Sequence, residues 1–415
     1  MHEYGHYIVG RWCGIHAEVF SLGFGPVLFS RVDKHGTRWQ FAALPFGGFV
    51  KFLGDADAAS GKDGETISRL SDAERRRTMH GAPLWARAAT VAAGPVFNFI
   101  LTIAIYFAVI MSLGIATDRP MVGEPNPMPN NTQTLRKGDL ILAVNGKATP
   151  DLAEFVSTAR AVPPSASVDY TVERGGMTET IRGPYPFPAM IGSIALESAA
   201  QDAGLTEGDV ILSVDGKPVN AFVDLVDIVK QTKDKPLLLK IWRDGAVFDA
   251  TLVPRMTTTP TSDGSFEERY LIGLGEGLVF VPELYTPGPI ETLELSVERT
   301  WTLVKTSLSG LGHIISGAIS SCNLRGPLGI AKSSSAAASQ GWLTFTMMIA
   351  ALSTAVGLMN LFPIPVLDGG HLVFHAYEAV TGKPPSDMAL RALMGAGLFL
   401  LLGLMVFALG NDLFC

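Results

Sequence analysis

Val91–Gly114 reads VAAGPVFNFILTIAIYFAVIMSLG, and this stretch decides what kind of protein the chain is. No charged residue lies between Arg87 and Asp118, and the run exceeds the roughly 20 apolar residues a helix needs to cross the hydrocarbon core of a bilayer. A soluble helix of this length carries charge on its outer face. Two further charge-free runs follow. One lies between Lys332 and Asp368, with its apolar part from Trp342 to Leu361, and the other extends from Ala392 to Gly410. Both are expected to span. The composition agrees: the hydrophobic share is 47% over 415 residues, and the mean hydropathy of +0.29 is high for a soluble chain.

Basic residues orient the first span. Arg75, Arg76, Arg77 and Arg87 precede it, whereas Asp118 and Glu124 lie beyond it, so the positive-inside rule puts the N-terminal side in the cytoplasm. The segment from Thr117 to Gly341 is then extracytoplasmic, and Lys383 and Arg391 return to the cytoplasmic side. A net charge of −7 leaves no basic stripe for nucleic acid, which is excluded as a partner. The cysteines, Cys13, Cys322 and Cys415, are far apart and lack C-x-x-C spacing. Neither a disulfide framework nor a thiolate metal site is expected.

Between the first two spans the chain repeats itself. LRKGDLILAVNGKATPDLAEFV from Leu135 aligns with LTEGDVILSVDGKPVNAFVDLV from Leu205. Each copy predicts a strand, a turn at Asn145-Gly146 or Asp215-Gly216, a short helix and two more strands. The G-D-x-I-x-x-V-[ND]-G pattern resembles PDZ domains of bacterial membrane and envelope proteases. The second copy also carries IGSIALESAAQDAGL (Ile191–Leu205) ahead of it, where the first has NPMPNNTQT instead. Such domains bind extended peptides by adding a strand to a sheet edge.

The chemistry starts at HEYGH, residues 2–6. On a helix, His2 and His6 project from one face with Glu3 beside them. Neutral imidazole nitrogens hold Zn²⁺, the metal lowers the pKa of a water to about 7, and a neighbouring carboxylate takes the proton as the water attacks a peptide carbonyl. A catalytic zinc needs a third protein ligand. Asp368, in NLFPIPVLDGGHL (Asn360–Leu372), is the leading candidate, because an ionisable group at the end of a spanning helix is costly unless it functions. Pro363 and Pro365 break the helix there, so the segment is expected to line a cavity. His371 and His375, four residues apart, are the alternative ligands, with His371 also able to support Asp368 from behind.

Ahead of the first span, VLFSRV and TRWQFAAL flank a DKHG turn and predict a hairpin. The Gly47-Gly48 pair and a strand from Phe49 to Phe52 follow. That edge is expected to pair with a substrate once its helix unwinds, since a helical peptide bond is shielded by its own turn. Pro289–Ile319 shows helical periodicity and is expected to lie along the outer membrane face.

With these residues the chain resembles the site-2 protease family of intramembrane metalloproteases, in its regulator of sigma-E protease branch. The resemblance covers nearly the whole chain: HEYGH, FSLGFGPVLFS, LPFGGFVKFLG, AAGPVFNF, the two repeats, NLRGPLGIAK and NLFPIPVLDGGH. It implies His2, His6 and Asp368 as zinc ligands, Glu3 as the catalytic base, and Asn360, Pro363 and Pro365 as holders of unwound substrate. It further implies cleavage of single-pass membrane proteins of the anti-sigma-factor type in a bacterial inner membrane, among lipid, with the PDZ pair as a gate.

The expected architecture is a multi-pass α-helical membrane protein with a membrane-associated β-hairpin region and two tandem PDZ-like extracytoplasmic domains. The boundaries are 1–14 (half of a first membrane helix), 15–83 (β region), 84–116 (span), 117–184 and 185–256 (PDZ-like), 257–341 (linker and surface helix), 342–371 (span with the third ligand), 372–390 (loop) and 391–412 (last span). Because the helix of the zinc motif begins at His2, a truncated or misassigned start is expected, to be checked by mass spectrometry of the native N-terminus. A silent membrane adaptor that binds envelope proteins through its PDZ pair is the competing function, and a metal transporter the weaker third.

Overall fold

The computed structural model describes residues 1–55, 70–260 and 266–414. Helix α1 (His2–Trp12) leads into two long strands, β1 (Ala17–Val32) and β2 (Arg38–Phe52). These are more than a hairpin. The first half of β1 lies between two stretches of β2, pairing Ala17 with Phe52 through Leu22 with Gly48 on one side, and Val19 with Arg38 through Leu22 with Phe41 on the other. The second half pairs from Val27 with Ala42 to Val32 with Arg38. Gly23 and Gly25, at φ +94° and +84°, allow β1 to bend between its halves. Tyr7, Phe20, Val50 and Phe52 form a buried cluster under α1, and Trp39 meets Tyr7 edge to face and Phe20 at a tilt, with centroid distances of 5.1 and 4.3 Å.

Helix α2 (Leu84–Leu113) is the first of three helices long and apolar enough to cross a membrane among the described residues. The two copies of the repeat follow as matching four-stranded sheets. In the first, Leu140–Val144 lies between Lys147–Ala148 and Val168–Arg174, with Met177–Gly183 outermost, and α3 (Leu152–Ala161) packs beside it. In the second, Val210–Val214, Lys217–Pro218, Leu237–Arg243 and Ala246–Leu252 take the same places beside α4 (Phe222–Thr232). Alternation puts Val168, Tyr170 and Val172 in one core and Leu237, Leu239 and Ile241 in the other. Each copy carries the same two-point ion pair, Arg174 on Asp139 (2.7 Å for both bonds) and Arg243 on Asp209 (2.6 and 2.7 Å).

The expected boundaries at 184/185 and 256/257 need correction, because Tyr185 and Phe187 are buried in the first core and both cores borrow chain from beyond residue 257. Ile272 is buried in the second core, and Leu274–Glu276 pairs with Ile191–Ile194. Val279 and Phe280 complete the first core, Phe280 packing 5.5 Å from Phe155, and Phe280–Pro282 pairs with Val122–Pro125.

Helix α5 (Pro289–Ile315) buries Thr292, Ser296, Thr300 and Val304, a stripe at every fourth residue, and packs on α2. Helix α6 (Pro327–Ser339) docks on the second β-rich unit. Gln201 Nε2 donates to the Ala336 carbonyl (3.3 Å), Gln340 Nε2 donates to the Ile194 carbonyl (3.2 Å), and Arg325 pairs with Glu197. The remaining helices are α7 (Trp342–Asn360), α8 (Asp368–Thr381) and α9 (Asp387–Phe414). One span over 342–371 followed by a loop to 390 is the expectation from sequence. Instead α7 stops at Asn360 before the two prolines, and 368–381 is a helix of its own, started by Asp368 and ended by the left-handed Gly382 (φ +72°). Cys322 is disulfide-bonded, while Cys13 is free.

Candidate metal centre

Three helices meet at the N-terminal end of α1. Close approach of α1 to α2 depends on small residues. A Cβ on Gly5 would strike the carbonyl of Ala93, one on Gly10 would lie 3.1 Å from the Thr90 methyl, and one on Gly94 would collide with the His6 imidazole. Both histidines are therefore pressed on the backbone of α2 at Gly94. Their rings meet edge to face at 4.7 Å.

The outer nitrogens are held by α2. His6 Nδ1 lies 2.8 Å from the Thr90 carbonyl and donates to it, which leaves Nε2 with a free lone pair. His2 Nδ1 faces the Asn98 amide at 3.2 Å. A half-turn of that amide presents its oxygen to an Nδ1–H, the arrangement that frees His2 Nε2 as a ligand. Asn98 is fixed in turn from α7, where Ser353 Oγ donates to its carbonyl (2.8 Å) and Gly357 packs beside its Cβ. One turn on, Thr102 Oγ1 bonds the Ala350 carbonyl (3.0 Å) and Thr354 Oγ1 (2.9 Å), closing a buried polar seam between α2 and α7.

Asp368 enters from the opposite side. Residues 361–367 turn sharply after α7, and Gly369 and Gly370 are pressed beneath the carbonyls of Leu361, Phe362 and Ile364, where no side chain fits. This packing aims the first side chain of α8 at the histidines. Asp368 Oδ2 stands 3.2 Å from His2 Nε2 and 3.4 Å from His6 Nε2, and the two Nε2 atoms are 3.2 Å apart. Although within ion-pair reach of both rings, this oxygen is buried and makes no hydrogen bond among the described residues. A buried carboxylate oxygen without a partner is costly, and the three atoms form a triangle whose edges match the ~3.3 Å between donors of a tetrahedral ion bonded at about 2.0–2.1 Å. The donor set, two imidazoles and a carboxylate, fits a divalent metal with one position left open.

Glu3 sits next to this triangle, half-buried, and its Cγ lies 3.5 Å from where a Cβ on Gly48 would stand. The β2 segment Gly47–Phe49 is thus brought to the acid. Gly47 has φ +98°, and Phe49 stacks on Phe24 at 5.9 Å. Among the described residues this segment pairs only with β1, Leu22 with Gly48 and Ser21 with Phe49. Asn360 and the prolines are not gathered in the same way. The Asn360 amide donates to Val356 of its own helix (3.0 Å), Pro363 is exposed, and Pro365 packs near Gly397 of α9. His371 and His375 stay outside the triangle, His371 edge-on to Phe374 and His375 with a buried Nδ1 that makes no hydrogen bond among the described residues. Sequence reasoning passed over Gly94, Thr90 and Asn98 as parts of the site. Asn98 had left a trace, an amide inside an otherwise apolar run.

The family model described as "Peptidase family M50" matches residues 1–404. A relative from Rhizobium meliloti named "Putative zinc metalloprotease" is 36% identical, covering 100% of this chain and 92% of its own length. The "Regulator of sigma-E protease RseP" of Salmonella typhimurium is 34% identical over 99% of this chain and 95% of its own. With these matches spanning the chain from the histidine pair to the last helix, it belongs to peptidase family M50, the site-2 protease family of metalloendopeptidases.

Proposed function

We propose that the chain is a zinc-dependent endopeptidase that cuts the membrane-spanning segment of single-pass proteins, with His2, His6 and Asp368 as metal ligands and Glu3 as the base. The observation that carries this reading is the triangle of donor atoms, one of them a buried carboxylate oxygen that makes no hydrogen bond among the described residues. Zinc bound there would act as a Lewis acid that brings the pKa of a water to about 7. Glu3 would take that water's proton on a carboxylate oxygen and pass it to the leaving amide nitrogen. Gly47–Phe49 would hold the substrate extended by pairing along its open edge, since a peptide bond still in a helix is shielded by its neighbours. Asn360, Pro363 and Pro365 would flank the unwound chain. The cytoplasmic membrane of a bacterium is the proposed site of action. The arginine-rich approach to α2 supports a cytoplasmic metal centre with the two β-rich units outside, where they would exclude substrates that still carry a bulky domain.

The test uses the full chain in detergent, with metal analysis and a model transmembrane substrate. Parent protein is expected to hold one zinc and to cleave. Glu3→Gln is expected to keep the metal and to lose roughly 10²–10⁴-fold in rate. Equal cleavage by Glu3→Gln would remove the assignment.

A further inference from the structure

One face of α2 carries four residues that each set a different part of the centre. Arg87, Thr90, Gly94 and Asn98 lie at helical spacing along one stripe. Thr90 holds His6, Gly94 gives both imidazoles room, and Asn98 holds His2. Arg87, at the start of the stripe, reaches the other ligand-bearing helix. Its Nη1 and Nη2 bind the two oxygens of Glu378 at 3.0 and 2.6 Å, and its Nε donates to the Ala82 carbonyl at 3.1 Å. Both side chains are largely buried, at 16% and 18% exposure.

Glu378 lies on α8, about 15 Å along the helix axis from Asp368 at 1.5 Å per residue. Helix α8 packs chiefly on α2. Among the described residues, the Arg87–Glu378 fork is the only side-chain hydrogen bond between the two helices. One turn before Glu378, His375 has a buried Nδ1 that makes no hydrogen bond among the described residues.

We propose that Arg87 and Glu378 are positioning residues for the metal centre: their two-point ion pair fastens the far end of α8 to α2 and so fixes the reach of Asp368 to the imidazoles. The planar guanidinium matters, because two parallel bonds fix angle as well as distance. This inference rests on the reading of the triangle as a metal site.

Zinc affinity of the full chain in detergent, measured by chelator competition, tests it in four variants: Arg87→Met, Glu378→Met, the double Met variant, and the swap Arg87→Glu with Glu378→Arg. The single and double Met variants are expected to bind zinc about 10- to 100-fold more weakly, and the swap to regain affinity. In metal-free protein, amide exchange over Gly369–Thr381 is expected to quicken in the double Met variant while that of α2 does not change. If the double Met variant binds zinc as tightly as the parent, the pair merely neutralises two buried charges and the proposal fails. Unchanged exchange in α8 also overturns it. A parent that binds no zinc would instead overturn the metal-site reading beneath it.

Discussion

At the scale of single residues, the centre is made as much by what is missing as by what is present. Gly94 lacks the atom that would displace His6, and His2 Cε1 would lie only 2.8 Å from an added Cβ. Because α2 backbone cannot retreat from α1 without breaking the Gly5 and Gly10 contacts, Gly94→Ala is expected to push the imidazoles out of the triangle. Overpacking of this kind costs about 1–3 kcal/mol, and the larger effect is expected at the site: zinc content and cleavage should fall together. Metal analysis beside a cleavage assay checks this, and an alanine variant with full zinc would show that the rings have room to move.

At the scale of elements, the helix that carries His2 and His6 is held by a turn outside the membrane segments. Asp33, between β1 and β2, accepts from the amides of His35 (2.8 Å) and Thr37 (3.0 Å), from Trp39 Nε1 (3.1 Å), and from the hydroxyl of Tyr7 on α1 (3.0 Å). Burial works against the charge of Asp33, but these bonds, the one from Trp39 foremost, outweigh it and hold its pKa down to about 2. A depressed carboxylate pKa stabilises the fold above the ordinary value of about 3.9. That contribution is lost as pH falls from there through about 2. Asp33→Asn is expected to lower stability by roughly 1–3 kcal/mol and to flatten the acid dependence in that window. Thermal unfolding in detergent at stepped pH reads both, and an unchanged acid limb would assign the dependence to another carboxylate. The DKHG turn was legible in the sequence as a hairpin tip, but its grip on Tyr7 was not, because nothing local signals that the tip folds back on α1.

At the scale of the whole molecule, the second β-rich unit is tied to the membrane helices through α6. Arg325 pairs with Glu197 and with Ser333 Oγ, the latter at 2.7 Å. The start of α6 is capped from the end of α9, where Asp412 accepts from the amides of Gly326 (2.9 Å) and Leu328 (3.0 Å). Arg325→Glu sets two acids against each other. It is expected to speed amide exchange over Ala195–Gln201 and Ile330–Gln340 while zinc content stays at the parent level. Exchange identical to the parent would mean that the Gln201 and Gln340 bonds hold the unit alone.

Much of this was determined by sequence alone, and for local reasons. Charge-free runs identified the long apolar helices because lipid tolerates no exposed charge. The repeat announced two alike β-rich units, since turn glycines and alternating apolar residues act over a few positions. HEYGH put two imidazoles and an acid on one helix face by spacing alone. Tertiary structure decided what depends on distant chain. It showed which of Asp368, His371 and His375 closes the triangle, that residues beyond 257 complete both β-rich cores, and that one face of α2 receives His2, His6 and Glu378 together. Those contacts join residues up to 291 positions apart, and no local pattern encodes a meeting whose two halves are stabilised only when packed together.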